Sequence, residues 1–167
     1  RDVARATVIM PLFGEVEFTL WGLPAPVAVR CRATFEILVV DDGSQDATPG
    51  VLSALPEIRY VRSPANRGFV HSCNLGAEHA RAPHLVFLNN DTLPLPGLVG
   101  AKLIYPDGRL QEAGGIVWQN GAAWNYGRGG DRTHPEFNYR REVDFCSGAA
   151  LAVPAAVFHE AGRFDEA

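Results

Sequence analysis

The sequence has few cysteines, no long apolar run and no excess of positive charge. Its three cysteines, Cys31, Cys73 and Cys146, are odd in number and widely spaced. They predict neither a disulfide framework nor a CxxC metal site, and they fit a reducing compartment. The longest mostly apolar stretch, Gly148 to Phe158, is far shorter than the roughly 20 residues that a membrane helix needs. The net charge of -4 offers no broad attraction for nucleic acid or for an anionic membrane.

The sequence also lacks a secretory signal and a glycine-rich phosphate loop. Residues 1–5 lead directly into a strand-like segment, without the apolar core and cleavage site of a signal peptide. Gly14 stands alone after the first predicted strand, so the GxGxxG pattern of dinucleotide oxidoreductases and the GxxxxGK[ST] pattern of P-loop enzymes are both missing. We therefore expect a cytoplasmic protein, with a peripheral position at the inner face of the membrane left open. Any phosphate that binds needs a local cation.

Strand and helix patterns alternate over the first 90 residues, as they do in a parallel α/β sheet. Apolar runs predict four buried strands, at residues 6–10, 35–40, 58–62 and 84–88. Apolar residues at helical spacing predict a helix over Phe69 to Arg81. A crossover helix is also needed between the first two strands, but Pro24 and Pro26 would break its middle.

The second half predicts short strands joined by loops, within the same single domain. Strand-like pieces at residues 98–105, 115–118 and 143–153 are separated by many glycines and prolines. A last helix is expected at residues 155–161, with Gly162 where it ends. A chain of 167 residues with 47% apolar content predicts one core.

Unusual polar groups follow three of the predicted strands, at residues 11–15, at Asp41 and Asp42, and at residues 89–92. Each group alone is best explained as a strand-ending turn with a helix cap beyond it. Ligands of open α/β sheets, however, bind beyond the carboxyl ends of the strands. Clustered carboxylates repel one another unless a cation joins them, so the repetition favours one shared site. If the ligand is a nucleotide, Mg²⁺ or Mn²⁺ held by Asp91 would neutralise its phosphates.

Five motifs, in order along the chain, resemble the signatures of family 2 glycosyltransferases with the GT-A fold. They are Val8 to Phe13, Val39 to Asp46, Asn66 to Phe69 with Asn74 to Gly76, Phe87 to Thr92 and Gly162 to Glu166. The stretch Lys102 to Gly115 further resembles a bacterial subgroup called rhamnosyltransferase-like. The resemblance implies an α/β, Rossmann-like mixed sheet flanked by helices and incomplete at its C-terminus. Residues 1–97 would then be the nucleotide-binding half, and residues 98–167 a partial acceptor-side half.

The resemblance also implies a set of nucleotide-sugar-binding residues. They are Pro11, Phe13, Glu15, Asp41, Asp42, Arg67, Asn89, Asn90 and Asp91. The first three would line the base and ribose pocket, and the two aspartates after the second strand would accept hydrogen bonds from the base imide or a ribose hydroxyl. Arg67 would contact the base edge or a phosphate, with a solvated loop arginine as the equal alternative. Asn89-Asn90-Asp91 occupies the place of the family's Asp-x-Asp signature, with Asp91 as the metal ligand.

The implied reaction is transfer of a sugar from a UDP-, GDP- or dTDP-linked donor to a glycan or lipid-linked acceptor, with inversion, in cell-envelope polysaccharide biosynthesis. The alternative is a non-catalytic module that binds a nucleotide or a sugar in the same pocket. Two departures from the family bear on this choice. The connection over residues 92–102 lacks a helix that relatives have, and the chain stops at Ala167, before the Glu-Asp motif that supplies the general base. We therefore expect a fragment that lacks the base.

Overall fold

The computed structural model describes residues 3–23, 34–90, 102–139 and 141–166. The chain divides into two compact units. Unit 1 consists of Arg1–Pro96 together with Ala152–Ala167, and unit 2 consists of Gly97–Leu151. The predicted site residues that the structure describes all belong to unit 1.

Unit 1 is built on a sheet of five described strands. They are β1 (Ala6–Leu12), β2 (Phe35–Asp41), β3 (Arg59–Arg62), β4 (His84–Leu88) and β9 (Ala150–Pro154), in the order β3-β2-β1-β4-β9. The strand β1 pairs in parallel with β2 and with β4, and β2 pairs in parallel with β3. The four strands predicted in the first 90 residues are confirmed.

The sequence forms these strands because their apolar runs are buried on both sides of the sheet. Consecutive residues of the two central strands, such as Ile9 and Met10 in β1 and Leu38 and Val39 in β2, are fully buried although they point to opposite faces. Strands covered on both faces have continuous rather than alternating apolar patterns. The core of unit 1 therefore lies along β1, β2 and β4.

Four helices are described: α1 (Val16–Gly22), α2 (Thr48–Leu52), α3 (Phe69–His79) and α4 (Ala155–Glu160). The helix α1 has only seven residues and ends before the two prolines that the sequence places in its path. Pro24 and Pro26 themselves lie outside the described residues. The helix α3 packs tightly on the sheet, since a Cβ atom added at Gly76 would lie 2.4 Å from Cγ2 of Ile9.

The helix α3 ends two residues before the predicted end at Arg81 because the chain has other hydrogen-bond partners there. Ala80 has an extended backbone, and the backbone N–H of Arg81 donates to the Glu36 carboxylate at 3.1 Å instead of continuing the helix. The hydroxyl of Thr7 donates to the same carboxylate oxygen at 2.7 Å. Glu36 thus ties β1 and β2 to the turn that follows α3.

The C-terminal residues of unit 1 return to α3 and β4. Phe158 and Phe164 pack against Phe87 of β4, with ring centroids 5.0 and 5.1 Å away. The side chain of Asn74 bonds both backbone groups of Phe164, its amide donating to the carbonyl at 2.9 Å and its oxygen accepting from the N–H at 3.1 Å. The predicted last helix is confirmed as α4, and Gly162 follows it with φ +89°.

Unit 2 contains two small antiparallel pairs. The strands β5 (Lys102–Ile104) and β6 (Leu110–Ala113) form one pair, and β7 (Gly115–Val117) and β8 (Ala123–Asn125) form the other. The prediction of a strand over residues 143–153 is wrong in its first part, because the strand described there is Ala150–Pro154. Before it, Phe145 makes one bridge to Gly115, and the Asp144 carboxylate accepts the N–H of Val117 at 2.9 Å.

Within the described residues, no helix combines the length and the apolar character needed to cross a membrane.

Candidate functional site

A cleft of about 270 Å³ lies at the carboxyl ends of β1, β2 and β4. The chain runs outward from β1 to β2 and β3 on one side, then crosses to place β4 on the other side of β1. The strand order therefore reverses between β1 and β4. Ligands of open α/β sheets bind where the strand order reverses in this way.

The described lining residues of this cleft come from four chain segments. They are Pro11, Leu12, Phe13, Asp42, Asn66, Gly68, Phe69, Ser72, Asn89 and Asn90. Five of the predicted site residues are among them: Pro11, Phe13, Asp42, Asn89 and Asn90. Glu15, Asp41 and Arg67 are described but are not among the lining residues. Asp91, the predicted metal ligand, lies outside the described residues.

Asp42 joins the end of β2 to the loop that precedes α3. Its carboxylate accepts the backbone N–H of Arg67 at 3.0 and 3.1 Å and the N–H of Gly68 at 2.7 Å. Asp42 is only 4% exposed. A carboxylate has about four acceptor positions on its two oxygens, so these bonds leave room for a ligand donor. Asp42 therefore has a structural task in addition to its position in the cleft.

Asp41 is fully buried and is occupied by other protein groups. One oxygen accepts the N–H of Ser44 at 2.8 Å, and the other accepts the Tyr60 hydroxyl and lies 3.4 Å from Nε of Arg62. Burial, together with the hydrogen bond to Asp41, raises the pKa of Tyr60 above its usual range. Arg62 also donates to the carbonyl of Ser44 at 2.7 Å. Asp41 thus fixes the turn that carries Asp42.

The loop after β1 is fastened to the loop after β2. The N–H of Gly14 donates to the Ser44 hydroxyl at 2.7 Å, and the N–H of Glu15 donates to the Asp46 carboxylate at 3.0 Å. The other oxygen of Asp46 accepts the N–H of Thr48, the first residue of α2, at 3.0 Å. Hydrogen bonds from Thr48 lower the pKa of Asp46. The side chain of Glu15 is exposed at the edge of this arrangement.

Arg67 directs its side chain to the C-terminal residues of unit 1. Its guanidinium lies 3.7 Å from the Glu166 carboxylate, and its side chain is 58% exposed. Glu166 also accepts the amide of Asn74 at 2.8 Å and lies 3.3 Å from Nδ1 of His71. The hydrogen bond from Asn74, followed by the contact with His71, lowers the pKa of Glu166.

The two asparagines after β4 have different environments. The side-chain amide of Asn90 donates to the Thr19 hydroxyl of α1 at 3.2 Å. The side-chain oxygen of Asn89 is buried and has no hydrogen-bond partner among the described residues. Such an oxygen is suited to a hydroxyl donor or to a hard cation. In the described part of the chain, no three His, Cys, Asp or Glu side chains are grouped as a metal site.

These observations define an α/β protein with a polar ligand cleft at the switch point of its sheet. The family model for Glycosyl transferase family 2 matches residues 7–157, and the chain belongs to this family. Its fold is accordingly GT-A-like, with a mixed central sheet flanked by helices.

Curated relatives include bacterial proteins much longer than this chain. The glycosyltransferase YfnE of Bacillus subtilis is 30% identical over 102 residues, which cover 59% of this chain and 26% of the relative. The O-antigen biosynthesis protein RfbC of Myxococcus xanthus is 29% identical, over 99% of this chain and 15% of the relative. The succinoglycan biosynthesis protein ExoO of Rhizobium meliloti is 28% identical, over 56% of this chain and 27% of the relative. This chain thus spans about a quarter or less of each.

Two solved structures are also similar to this chain. A mannosyltransferase of Pyrobaculum calidifontis in complex with GDP-Man and Mn²⁺ gives a TM-score of 0.48 at 28% identity, covering 53% of this chain and 28% of that one. TarS of S. aureus in complex with UDP gives 0.48 at 22% identity, covering 52% of this chain and 27% of that one.

Sequence reasoning did not select several lining residues, among them Asn66, Gly68, Phe69 and Ser72. Asn66, Gly68 and Phe69 lie within the motif Asn66 to Phe69, but this motif does not show which face of the following helix contacts a ligand. The sequence gives no signal that separates Phe69 from the core, because Phe69 is four residues before Cys73 and therefore lies on the same face of the helix.

Proposed function

We propose that this chain forms the donor-binding part of a glycosyltransferase that transfers a sugar from a nucleoside-diphosphate sugar to an acceptor hydroxyl. The observation that carries the proposal is the convergence of Pro11, Phe13, Asp42, Asn89 and Asn90 from three strand ends on one cleft. Polar groups at a sheet switch point bind ligands rather than stabilise the core. Membership of Glycosyl transferase family 2 supports a transferase.

The nucleoside is proposed to lie between the loop after β1 and the end of β2. Phe13 is 54% exposed although it lines a cleft, so its ring is available to a flat base. The Asp42 carboxylate supplies acceptors for a ribose hydroxyl or a base imide. Asp41 is assigned a positioning role, because its oxygens already hold Ser44 and Tyr60.

Glu15 and Arg67 are proposed to act at the edge of the cleft. Both side chains are exposed. An exposed ion pair such as that between Arg67 and Glu166 contributes little to stability, so little is lost when the guanidinium turns to a phosphate. The positive charge of Arg67 would then oppose the charge of the diphosphate.

Asp91 is proposed as the ligand of Mg²⁺ or Mn²⁺. The buried, unpartnered oxygen of Asn89 in the same cleft is of the ligand type that these cations prefer, so the described residues fit a divalent ion. Such an ion, when bound, stabilises the negative charge of the departing nucleoside diphosphate. In the proposed reaction, the acceptor hydroxyl approaches the anomeric carbon from the side opposite the diphosphate.

Attack of the acceptor hydroxyl from that side inverts the configuration at the anomeric carbon. The group that takes the hydroxyl proton is not assigned to any described residue. The stretch Lys102 to Gly115 supports the rhamnosyltransferase-like subgroup. Similarity to proteins of O-antigen and succinoglycan biosynthesis supports a glycan or lipid-linked acceptor in cell-envelope polysaccharide synthesis. The free cysteines Cys73 and Cys146 support a reducing compartment such as the cytoplasm. A peripheral position at the inner face of the membrane stays a prediction.

Calorimetric titration of UDP, GDP and dTDP, each with and without Mn²⁺, tests the proposal. We expect at least one of the three to bind, and Mn²⁺ to strengthen its binding. Asp91→Ala should remove the gain from Mn²⁺, whereas Asp107→Ala, at an exposed turn of unit 2, should keep it. Equal affinity with and without Mn²⁺ would contradict the metal site. If none of the three nucleotides binds, the proposed function is wrong.

A further inference from the structure

We propose that the first turn of α3 is the second wall of the base pocket, in which Phe69 stacks on the base and Ser72 hydrogen-bonds to the base edge. This inference rests on the proposed function. Both residues line the same cleft as Phe13 and Asp42. They are three residues apart on one helix, so they lie on the same face of it.

Phe69 is an aromatic side chain left open to the cleft. It is the first residue of α3 and is 43% exposed, while Phe13 on the loop after β1 is 54% exposed. Two large apolar rings thus line one small cleft, and about half of each remains exposed. Their exposed faces are available for stacking on a ligand. The faces of heterocyclic bases stack on such rings.

Ser72 carries a buried hydroxyl. It is 1% exposed, and its Oγ makes no hydrogen bond with any residue that the structure describes. Helical serines commonly bond back to the carbonyl four residues earlier, but here the carbonyl of Gly68 accepts the backbone N–H of Ser72 at 3.1 Å and not its hydroxyl. A buried polar group without a partner is costly, so a partner for this hydroxyl is expected when the cleft is filled.

The charges of the cleft favour a base over a phosphate at this wall. The described lining residues include the Asp42 carboxylate and the amides of three asparagines, but no lysine, arginine or histidine. A phosphate placed there would face a carboxylate without a cation among these residues, and the repulsion would be strong in a partly buried site. A base is neutral and presents N–H donors beside carbonyl or ring-nitrogen acceptors. Those groups match the Ser72 hydroxyl and the remaining acceptor position of Asp42.

Dissociation constants for UDP, GDP and dTDP, and for a nucleotide-sugar of the preferred base, test this assignment. They are measured in the presence of Mn²⁺ on the whole chain and four variants. Phe69→Leu removes the ring and keeps an apolar side chain, whereas Phe69→Tyr keeps the ring. We expect binding of the preferred nucleotide to weaken about tenfold in Phe69→Leu and to be largely retained in Phe69→Tyr. Ser72→Ala should weaken it about fivefold. Ser53→Ala, at an exposed position of unit 1, is the matched control and should bind like the unaltered chain.

The outcomes separate this inference from the proposed function. If the unaltered chain binds neither UDP, GDP nor dTDP, the proposed function fails, and this inference fails with it. If the chain binds a nucleotide but Phe69→Leu and Ser72→Ala bind it equally well, only the second wall is wrong. If those variants weaken a nucleotide-sugar but not the matching nucleoside diphosphate, the wall contacts the sugar and the assignment to the base is overturned. Thermal unfolding of each variant shows whether it is folded.

Discussion

Replacing Asp42 should destabilise unit 1 as well as weaken nucleotide binding. In Asp42→Ala, the backbone N–H groups of Arg67 and Gly68 lose the carboxylate that accepts them at 2.7–3.1 Å. Hydrogen bonds to charged groups contribute about 1.5–3 kcal/mol each when both partners are buried. Arg67 is exposed and Gly68 is partly exposed, so water replaces much of this loss. We expect a destabilisation of about 2 kcal/mol in total.

The assay for this prediction is thermal and guanidinium unfolding of the unaltered chain and three variants. A loss of about 2 kcal/mol corresponds to a fall of about 4–8 °C in the melting temperature of a chain of this size. Asp42→Asn keeps one carbonyl acceptor, so its loss should be smaller than that of Asp42→Ala. Asp107→Asn, in an exposed turn of unit 2, is the control and should change little. An unchanged melting temperature in Asp42→Ala would refute the anchoring role of this carboxylate.

Three further predictions concern residues outside the cleft lining. In urea unfolding, Gly76→Ala should destabilise the chain by about 1–3 kcal/mol because its Cβ would meet Ile9. Gly50→Ala has open space around it and should stabilise the chain by about 0.5–1 kcal/mol, so equal effects of the two variants would contradict the packing of α3 on the sheet. Burial raises the pKa of the Cys73 thiol to about 12, so iodoacetamide at pH 8 should alkylate exposed Cys146 and spare Cys73 until urea is added. Peptide mass spectrometry measures the labelling, and equally fast labelling of both thiols in the folded chain would contradict this prediction. Burial also raises the pKa of Glu112, so the charged carboxylate opposes folding as the pH rises above the ordinary pKa of 4.5. Glu112→Gln should therefore stabilise the chain more at pH 7 than at pH 4, and an equal gain in stability at both pH values would refute burial of the charge as the cause.

The strands of unit 1 could be predicted because strands that are buried on both faces have continuous apolar sequences. The residues of β1, β2 and β4 form continuous apolar runs, and these runs end where the polar groups of the cleft begin. The short strands of unit 2 have no such apolar runs. Strands of three or four residues are too short to show a period, and their pairing depends on distant residues.

The roles of neighbouring polar residues were less predictable than their presence. Asp41 and Asp42 are adjacent in the sequence, yet one is enclosed by Tyr60 of the neighbouring strand and the other reaches the N–H groups of Arg67 and Gly68. Partners about 20 to 25 residues away in the chain cannot be inferred from the local motif. Ser72 illustrates the same limit, because a serine within a helix gives no sign that its hydroxyl lacks a partner.

The central claim is that one nucleotide contacts the ends of β1, β2 and β4 together. Hydrogen exchange measured by mass spectrometry, with and without the best-bound nucleoside diphosphate and Mn²⁺, tests this most directly. The account predicts slower exchange on binding in three separate stretches, residues 12–16, 66–70 and 88–92, with no comparable change in residues 110–139. Protection confined to residues 110–139, or absent from the three stretches while the nucleotide is bound, would contradict it.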